Sequence, residues 1–263
     1  DLGKGRQMPI HYGSNALHYM TISSPLATQI PQATGYAYAQ KIRKTGQITI
    51  CYFGEGAASE GDFHAGMNMA AVHGAPVIFF CRNNGYAIST PSDEQFKGDG
   101  IASRGVGYGM RTIRVDGNDT LAVYQATAEA RRYALEHSKP VLIEAMTYRL
   151  GAHSTSDDPT GYRSKEEEAV WAMQDPVLRF KHWMVKNGWW SDEEEKAVYS
   201  KYRDDILSQL KVSEKIPAPQ LEEMFTDVYD KMPQHLIEQY EALKAHVQQY
   251  PDVYPKTSGR LDA

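Results

Sequence analysis

Two cysteines in 263 residues, Cys51 and Cys81, are too few for a disulfide framework. Each lies inside an apolar run, where a free thiol behaves as a small hydrophobe, so both are expected buried and unpaired. Long apolar runs are missing too. No stretch approaches the roughly 18 residues that would span a bilayer, so no membrane partner is expected. No signal or transit peptide is recognisable. The chain opens at Asp1 without a start methionine, which is expected of a processed protein or of a piece of a longer one. An excess of one charge is also absent. With 28 basic and 33 acidic residues the formal charge is −5, which gives no reason to expect nucleic-acid binding. What remains, 41% hydrophobic and 23% charged, is ordinary globular composition, enough for one large domain or a core with an appendage.

Residues 1–31 are loop-rich, punctuated by Gly3, Gly5, Pro9, Gly13, Pro25 and Pro31. Residues 32–44 read as a helix that stops before Gly46 with basic residues in its last turn. Residues 48–53 and 77–81 are short β-prone apolar runs, expected as buried strands. Between them, Phe63, Met67, Ala70 and Ala71 recur at helical spacing over 59–73. Further strands are expected at 112–115 and 141–146, with a helix at 121–137 between them. Strands alternating with helices predict an α/β fold, a parallel sheet flanked by helices.

After Met146 the pattern changes. Residues 149–163 have no apolar period and form a long loop, a class of segment that is usually functional or mobile. Residues 165–250 are mostly helical in pattern, with Asp175-Pro176 as a helix start and 233–250 as a last amphipathic helix. Residues 211–220, with Pro217 and Pro219, read as a linker. The expected division is a core over 1–164, including the loop 149–163, and a helical C-terminal region over 165–263.

The chemistry is concentrated between the first two strands. Gly54-Glu55-Gly56-Ala57-Ala58-Ser59-Glu60-Gly61 joins a strand to a helix, where open α/β sheets bind ligands. Glycines admit a phosphate to the backbone, and a helix N-terminus favours it. The dinucleotide pattern is not met, because Ser59 stands where its last glycine would be. Glu55 is the informative residue, since a carboxylate repels a diphosphate unless a divalent cation lies between them. Mg²⁺ takes oxygen ligands, commonly one or two carboxylates with phosphate and carbonyl oxygens. The next strand ends in Arg82-Asn83-Asn84-Gly85-Tyr86, 29 residues on, and offers the Asn84 amide, the Tyr86 carbonyl and the Arg82 guanidinium. A solvated loop acid and an Asn-Asn-Gly turn explain either piece alone. Both at the ends of successive strands point to a metal site.

The G-[DE]-G…N-N pattern is similar to the thiamin diphosphate signature. GEGAASEGDFHAG and FFCRNNGYAISTP resemble the α subunits of the E1 component of branched-chain 2-oxo acid dehydrogenases. The likeness continues in TISSPLATQIPQATG at 21–35, VDGND at 115–119 and YRLGAHSTSDD at 148–158, and weakly in FTDVYDKMP at 225–233. Pyruvate-specific relatives usually have Asp at the place of Glu55 and a Met in the loop where this chain has Thr155. The resemblance implies the thiamin diphosphate-binding fold and Mg²⁺ held by Glu55, Asn84 and the Tyr86 carbonyl. It implies diphosphate contacts from Gly56, Ala57 and Arg82, and cofactor contacts from Ser24 and Leu26. It also implies a monovalent cation, K⁺, on Ser23, Pro25, Thr28 and Gln29, although an ordinary helix-entry loop accounts for those residues equally well.

The same resemblance makes His153 the catalytic residue, near the cofactor and serving reductive acylation of a lipoyl group. On residue type alone, a lone His in a polar loop is more often simply exposed. Ser154 and Ser164 correspond to serines that are phosphorylated in the animal-type enzymes. A phosphate adds roughly −1.5 to −2 charges at pH 7, which beside His153, Asp157 and Asp158 would repel acidic groups and fill the channel. Arg149, Tyr162 and Arg163 are expected to order the loop by pairing with Asp157 and the cofactor phosphates.

The family implies an oxidoreductase of branched-chain amino acid catabolism in the mitochondrial matrix. It decarboxylates 2-oxo acids such as 3-methyl-2-oxobutanoate and passes the acyl group to a lipoyl-bearing E2 core. A separate β subunit supplies the carboxylate that meets the aminopyrimidine, so the chain alone is expected to be inactive and to work in an α₂β₂ heterotetramer, under a regulatory kinase and phosphatase. Family α subunits also have an N-terminal portion ahead of the position of residue 1, with further diphosphate contacts. Three other readings are a pyruvate dehydrogenase E1 α subunit, a non-catalytic regulatory homologue, and a nicotinamide-binding protein, for which Glu55 is misplaced.

Overall fold

Four short apolar runs become four strands of one parallel sheet: β1 (Thr49–Gly54), β2 (Val77–Asn83), β3 (Arg111–Asp116) and β4 (Val141–Met146). The computed structural model describes residues 8, 10–216, 218–254 and 258–259; the punctuating Gly3, Gly5, Pro9 and Pro217 lie outside the described residues. The strand order is β1-β2-β4-β3. In register, Gly54 lies beside Arg82, Cys81 beside Glu144, and Glu144 beside Arg114. All carboxyl ends therefore meet at one edge of the sheet.

Side chains alternate between the faces of a strand, and each face here has its own core. On one face Cys51, Phe53, Val77, Phe79, Cys81 and Leu142 pack with α1 (Gln29–Ile42) and α2 (Gly61–His73), through Ile30, Ala33 and Ala37 and through Phe63, Met67 and Ala70. On the other, Ile78, Phe80, Val141, Ile143 and Ala145 form a cluster with Ala130. Ala130 belongs to α4 (Thr120–His137); a short helix, α3 (Ala102–Gly107), precedes β3. Cys51 and Cys81 are buried free thiols, and burial pushes Cys51 up to about 12. The first helix starts three residues earlier than expected, at Gln29, and the second starts at Gly61 rather than Ser59, after a separate 3₁₀ turn at Ala57–Ser59.

By backbone proximity the chain divides into residues 22–190 and residues 1–21 with 191–263. The first unit keeps α5 (Lys165–Ala172) and α6 (Pro176–Lys186), which the sequence reading assigned to the C-terminal region. Side-chain contacts hold them there. Tyr148 stacks on Trp171 with ring centroids 5.2 Å apart, and Arg179 pairs with Asp116 at 2.9 Å. Asp175 caps α6 as expected, accepting from the N–H groups of Val177 and Leu178. The second unit contains α7 (Asp192–Ser213) and α8 (Gln234–Gln249). The expected linker begins late, because α7 continues through Lys211 to Ser213. No described helix is long and apolar enough to cross a membrane.

Candidate functional site

β1 delivers Glu55 into the protein one residue past its last strand position. Glu55 is fully buried. Its Oε2 accepts the Asn84 N–H at 3.0 Å, while Oε1 is buried with no hydrogen-bond partner among the described residues. Burial pushes the Glu55 pKa up, against the lowering effect of the backbone N–H groups of Asn84, Glu55 and Tyr86 and the Arg149 charge. A buried acceptor with nothing to accept from is costly, and a cation is one group that satisfies it. The Asn84 side-chain oxygen accepts the Tyr86 N–H at 3.3 Å, and the Tyr86 carbonyl accepts from Arg149 Nη1 at 3.3 Å. Glu55, Asn84 and Tyr86 are thus linked by successive hydrogen bonds. Among the described residues no three His, Cys, Asp or Glu side chains gather into a ligand set. Mg²⁺ here would depend on one carboxylate with amide, carbonyl, phosphate and water oxygens, a donor set that suits it.

Gly56 and Ala57 open the 3₁₀ turn, whose first N–H groups have no partner inside it. Two residues that had no visible sequence signal hold this turn. Gln95 Nε2 donates to the Gly56 carbonyl at 3.3 Å and to Ser59 Oγ at 3.0 Å, and Arg104 donates to the Ala58 carbonyl. A Cβ on Gly56 would lie 3.0 Å from that of Ala87, so the close approach favours glycine.

The other residues expected to meet cofactor or cation lie on the neighbouring elements. Alternation along β2 puts Arg82, exposed, on the face of Ile78 and Phe80, opposite Cys81 and Asn83. It does not share the face on which the Asn83 side chain packs. Leu26 is exposed in the loop that contains Ser24 and precedes α1. In the same loop the Thr28 hydroxyl lies 2.9 Å from Ser23 Oγ and donates to the Pro25 carbonyl at 3.0 Å. Three of the four oxygens assigned to K⁺ are therefore together. The Gln29 amide nitrogen donates to the Tyr52 carbonyl at 3.3 Å.

The loop 149–163 is tied at both ends. The Tyr162 hydroxyl donates to Asp157 Oδ2 at 2.7 Å and accepts from Arg149 Nη2 at 3.0 Å. The His153 N–H donates to the same Asp157 oxygen at 2.8 Å, and that bond, followed by the one from Tyr162, holds the Asp157 carboxyl below its usual range. Arg163 does not pair with Asp157 as expected. It is buried beneath the loop, ion-paired with Glu168 at 2.7 Å, and it donates to the carbonyls of Arg149, Leu150 and Gly151. The reason is geometric: a planar five-donor fork can serve several carbonyls at once, which a contact with one carboxylate would not use. The His153 side chain is exposed, with no hydrogen bond to its ring among the described residues. Ser154 Oγ lies 3.2 Å from Ser156 Oγ. Ser164 caps α5, its Oγ accepting the Glu167 N–H at 3.1 Å.

Comparison with known proteins supplies the family. Residues 1–222 match the family model described as the dehydrogenase E1 component. The chain belongs to that family. This E1 chain is 57% identical over 256 residues to the mitochondrial 2-oxoisovalerate dehydrogenase subunit alpha of Homo sapiens. It is 58% identical over 257 residues to the Dictyostelium discoideum protein of the same name. Against subunit alpha 1 of Arabidopsis thaliana it is 55% identical over 256 residues. Each match takes in 97% of the E1 chain but 58%, 58% and 54% of the relative. The E1 chain thus spans a little over half the length of these relatives.

Proposed function

We propose that this chain is the metal- and diphosphate-binding part of the α subunit of a branched-chain 2-oxo acid dehydrogenase. The observation that carries the reading is the partnerless, buried Oε1 of Glu55 beside Asn84 and Tyr86. The names of the relatives support the substrate class, since each is a 2-oxoisovalerate dehydrogenase subunit. On this reading Glu55, Asn84 and the Tyr86 carbonyl hold Mg²⁺, Gly56 and Ala57 meet the diphosphate, and thiamin diphosphate, when bound, supplies the electron sink for decarboxylation. Arg82, Ser24 and Leu26 are assigned further cofactor contacts, and the Ser23–Thr28 loop with Gln29 is assigned K⁺. Arg149 must release the Tyr86 carbonyl when a cation takes it, because two positive groups on one oxygen repel each other.

His153 is proposed to serve lipoyl acylation from the loop held by Asp157, Tyr162, Arg149 and Arg163. Ser154 and Ser164 are proposed as phosphorylation sites, targets of a kinase and a phosphatase. A phosphate on Ser164 would sit beside Glu166, Glu167 and Glu168, so its effect on α5 is set by repulsion against the attraction of the helix terminus. The working assembly is an α₂β₂ heterotetramer with a β subunit, docked to a lipoyl-bearing E2 core in the mitochondrial matrix; the relatives named above are mitochondrial proteins. The proposed core of residues 1–164 contains every assigned metal and cofactor ligand.

The test is calorimetry of thiamin diphosphate binding to the assembled α and β subunits, with and without Mg²⁺. Binding that requires Mg²⁺ supports the reading, and none in its presence overturns it. Higher kcat/KM on 3-methyl-2-oxobutanoate than on pyruvate separates this function from the pyruvate-specific one.

A further inference from the structure

Glu144 is the buried acid that the proposed chemistry leaves unused. It stands in the middle of the apolar strand β4, fully buried. Four donors converge on it. Asn83 Nδ2 and the Ile101 N–H reach Oε1 at 2.8 Å each, and the Ala102 N–H and Arg114 Nε reach Oε2 at 2.8 and 3.0 Å. Such a carboxylate is fully satisfied without any ligand. Three of its contacts anchor the start of α3 and the strand β3. The fourth leads elsewhere.

Asn83 is the residue just before the Asn84–Tyr86 turn, and both ends of its side-chain amide and its carbonyl are engaged. Its side-chain nitrogen is fixed by Glu144. Its side-chain oxygen accepts the Gly85 N–H at 3.2 Å, and its carbonyl accepts the Thr147 N–H at 2.8 Å. The bond to Gly85 holds that residue at φ +86°, a conformation that favours glycine. The next two residues in the chain of bonds are Asn84, donating to Glu55, and Tyr86, donating to Asn84. Rotation of the Asn83 amide would swap its donor and acceptor ends and break both the Glu144 and the Gly85 bonds. Glu144 accepts only, so it fixes which end faces the turn.

We infer that Glu144 is a positioning residue for the metal site, acting through Asn83 to set the turn that presents the Asn84 and Tyr86 oxygens opposite Glu55. The inference rests on the metal reading proposed above. Groups that orient the ligands of a metal, without touching it, typically change its affinity by about 10- to 100-fold when they are lost.

The experiment uses the assembled α and β subunits of wild type, Asn83→Ala, Glu144→Gln and the double variant. Mn²⁺, a spectroscopic stand-in for Mg²⁺, is titrated in the presence of thiamin diphosphate and followed by electron paramagnetic resonance. Amide exchange at Gly85 is measured in the metal-free proteins. Each single variant is expected to weaken Mn²⁺ binding at least about tenfold, to speed Gly85 exchange, and to raise the metal KM more than it lowers kcat at saturation. The double variant is expected to be no weaker than the weaker single, because both changes remove one path. If Glu144→Gln does not fold, Asn83→Ala still tests the link to the turn. Unchanged Mn²⁺ affinity and Gly85 exchange in folded Asn83→Ala, or fully additive losses in the double variant, would overturn the inference. If wild type itself binds no Mn²⁺ with thiamin diphosphate, it is the metal reading that fails. Altered Gly85 exchange in the variants would then still establish the positioning of the turn.

Discussion

Glu55 and Asn84, 29 residues apart in the chain, meet through a 3.0 Å bond from the Asn84 N–H to Glu55 Oε2. That bond uses one carboxylate oxygen and leaves the other buried without a donor among the described residues. The pair therefore leaves one buried acceptor open, the position that the proposed cation would take.

Glu55→Gln should have effects of opposite sign with and without metal. Removing a buried charge relieves desolvation, so the metal-free protein should melt at the same or a higher temperature. Mg²⁺-dependent thiamin diphosphate binding should weaken by at least about tenfold. Melting curves and calorimetry on one preparation give both readings, and a loss of metal-free stability without a loss of binding would count against the assignment.

Tyr162→Phe removes a single hydroxyl that joins Arg149 to Asp157. The cost to loop order should be about 1 kcal/mol, the usual scale of one hydrogen bond. Proteolysis or hydrogen exchange over residues 150–160 should rise several-fold, and lipoyl acylation should fall, while cofactor binding stays within about twofold by this energy scale.

Ser154→Glu places a negative charge in the loop two residues from Ser156 and three from Asp157. The assembled variant is expected to lose acylation of the lipoyl domain while keeping cofactor binding. Wild-type acylation by this variant would refute the proposed switch.

Acid should reveal Glu144. Burial alone would raise its pKa, but the bonds from Asn83, Ala102, Ile101 and Arg114 outweigh burial and hold it below its ordinary 4.5. The unfolded chain then takes up the proton first as pH falls. The contribution of Glu144 to stability is complete above 4.5 and is lost as pH falls through the lower folded-state value. Glu144→Gln should be less stable at pH 7 by about 3 kcal/mol, the scale for breaking a buried pair. Its denaturant midpoint should fall less steeply than that of wild type below the carboxylate range.

Patterns of short range carried much of this protein in the sequence itself. Apolar runs and helical spacing located all four strands of the sheet and its three longer flanking helices, but not the short α3, because burial on two faces and on one stripe leave different periodicities. The acid inside the glycine turn and the Asn-Asn-Gly that follows mark the candidate site in the sequence alone. Tertiary structure decided what depends on facing and on distance. Strand alternation put Arg82 on the face opposite Asn83, and the Tyr148–Trp171 stack and the Arg179–Asp116 pair keep α5 and α6 with the sheet. Gln95 and Arg104 reach the glycine-rich turn after β1 across 39 and 46 residues, and nothing local marks them. In the sequence Glu144 is no more than an acid in an apolar strand; that it is fully satisfied, and through Asn83 joined to the turn, follows from donors on the two neighbouring strands and at the start of α3. Composition and spacing record which groups a chain owns, but only packing decides which of them end up within 3 Å of one another.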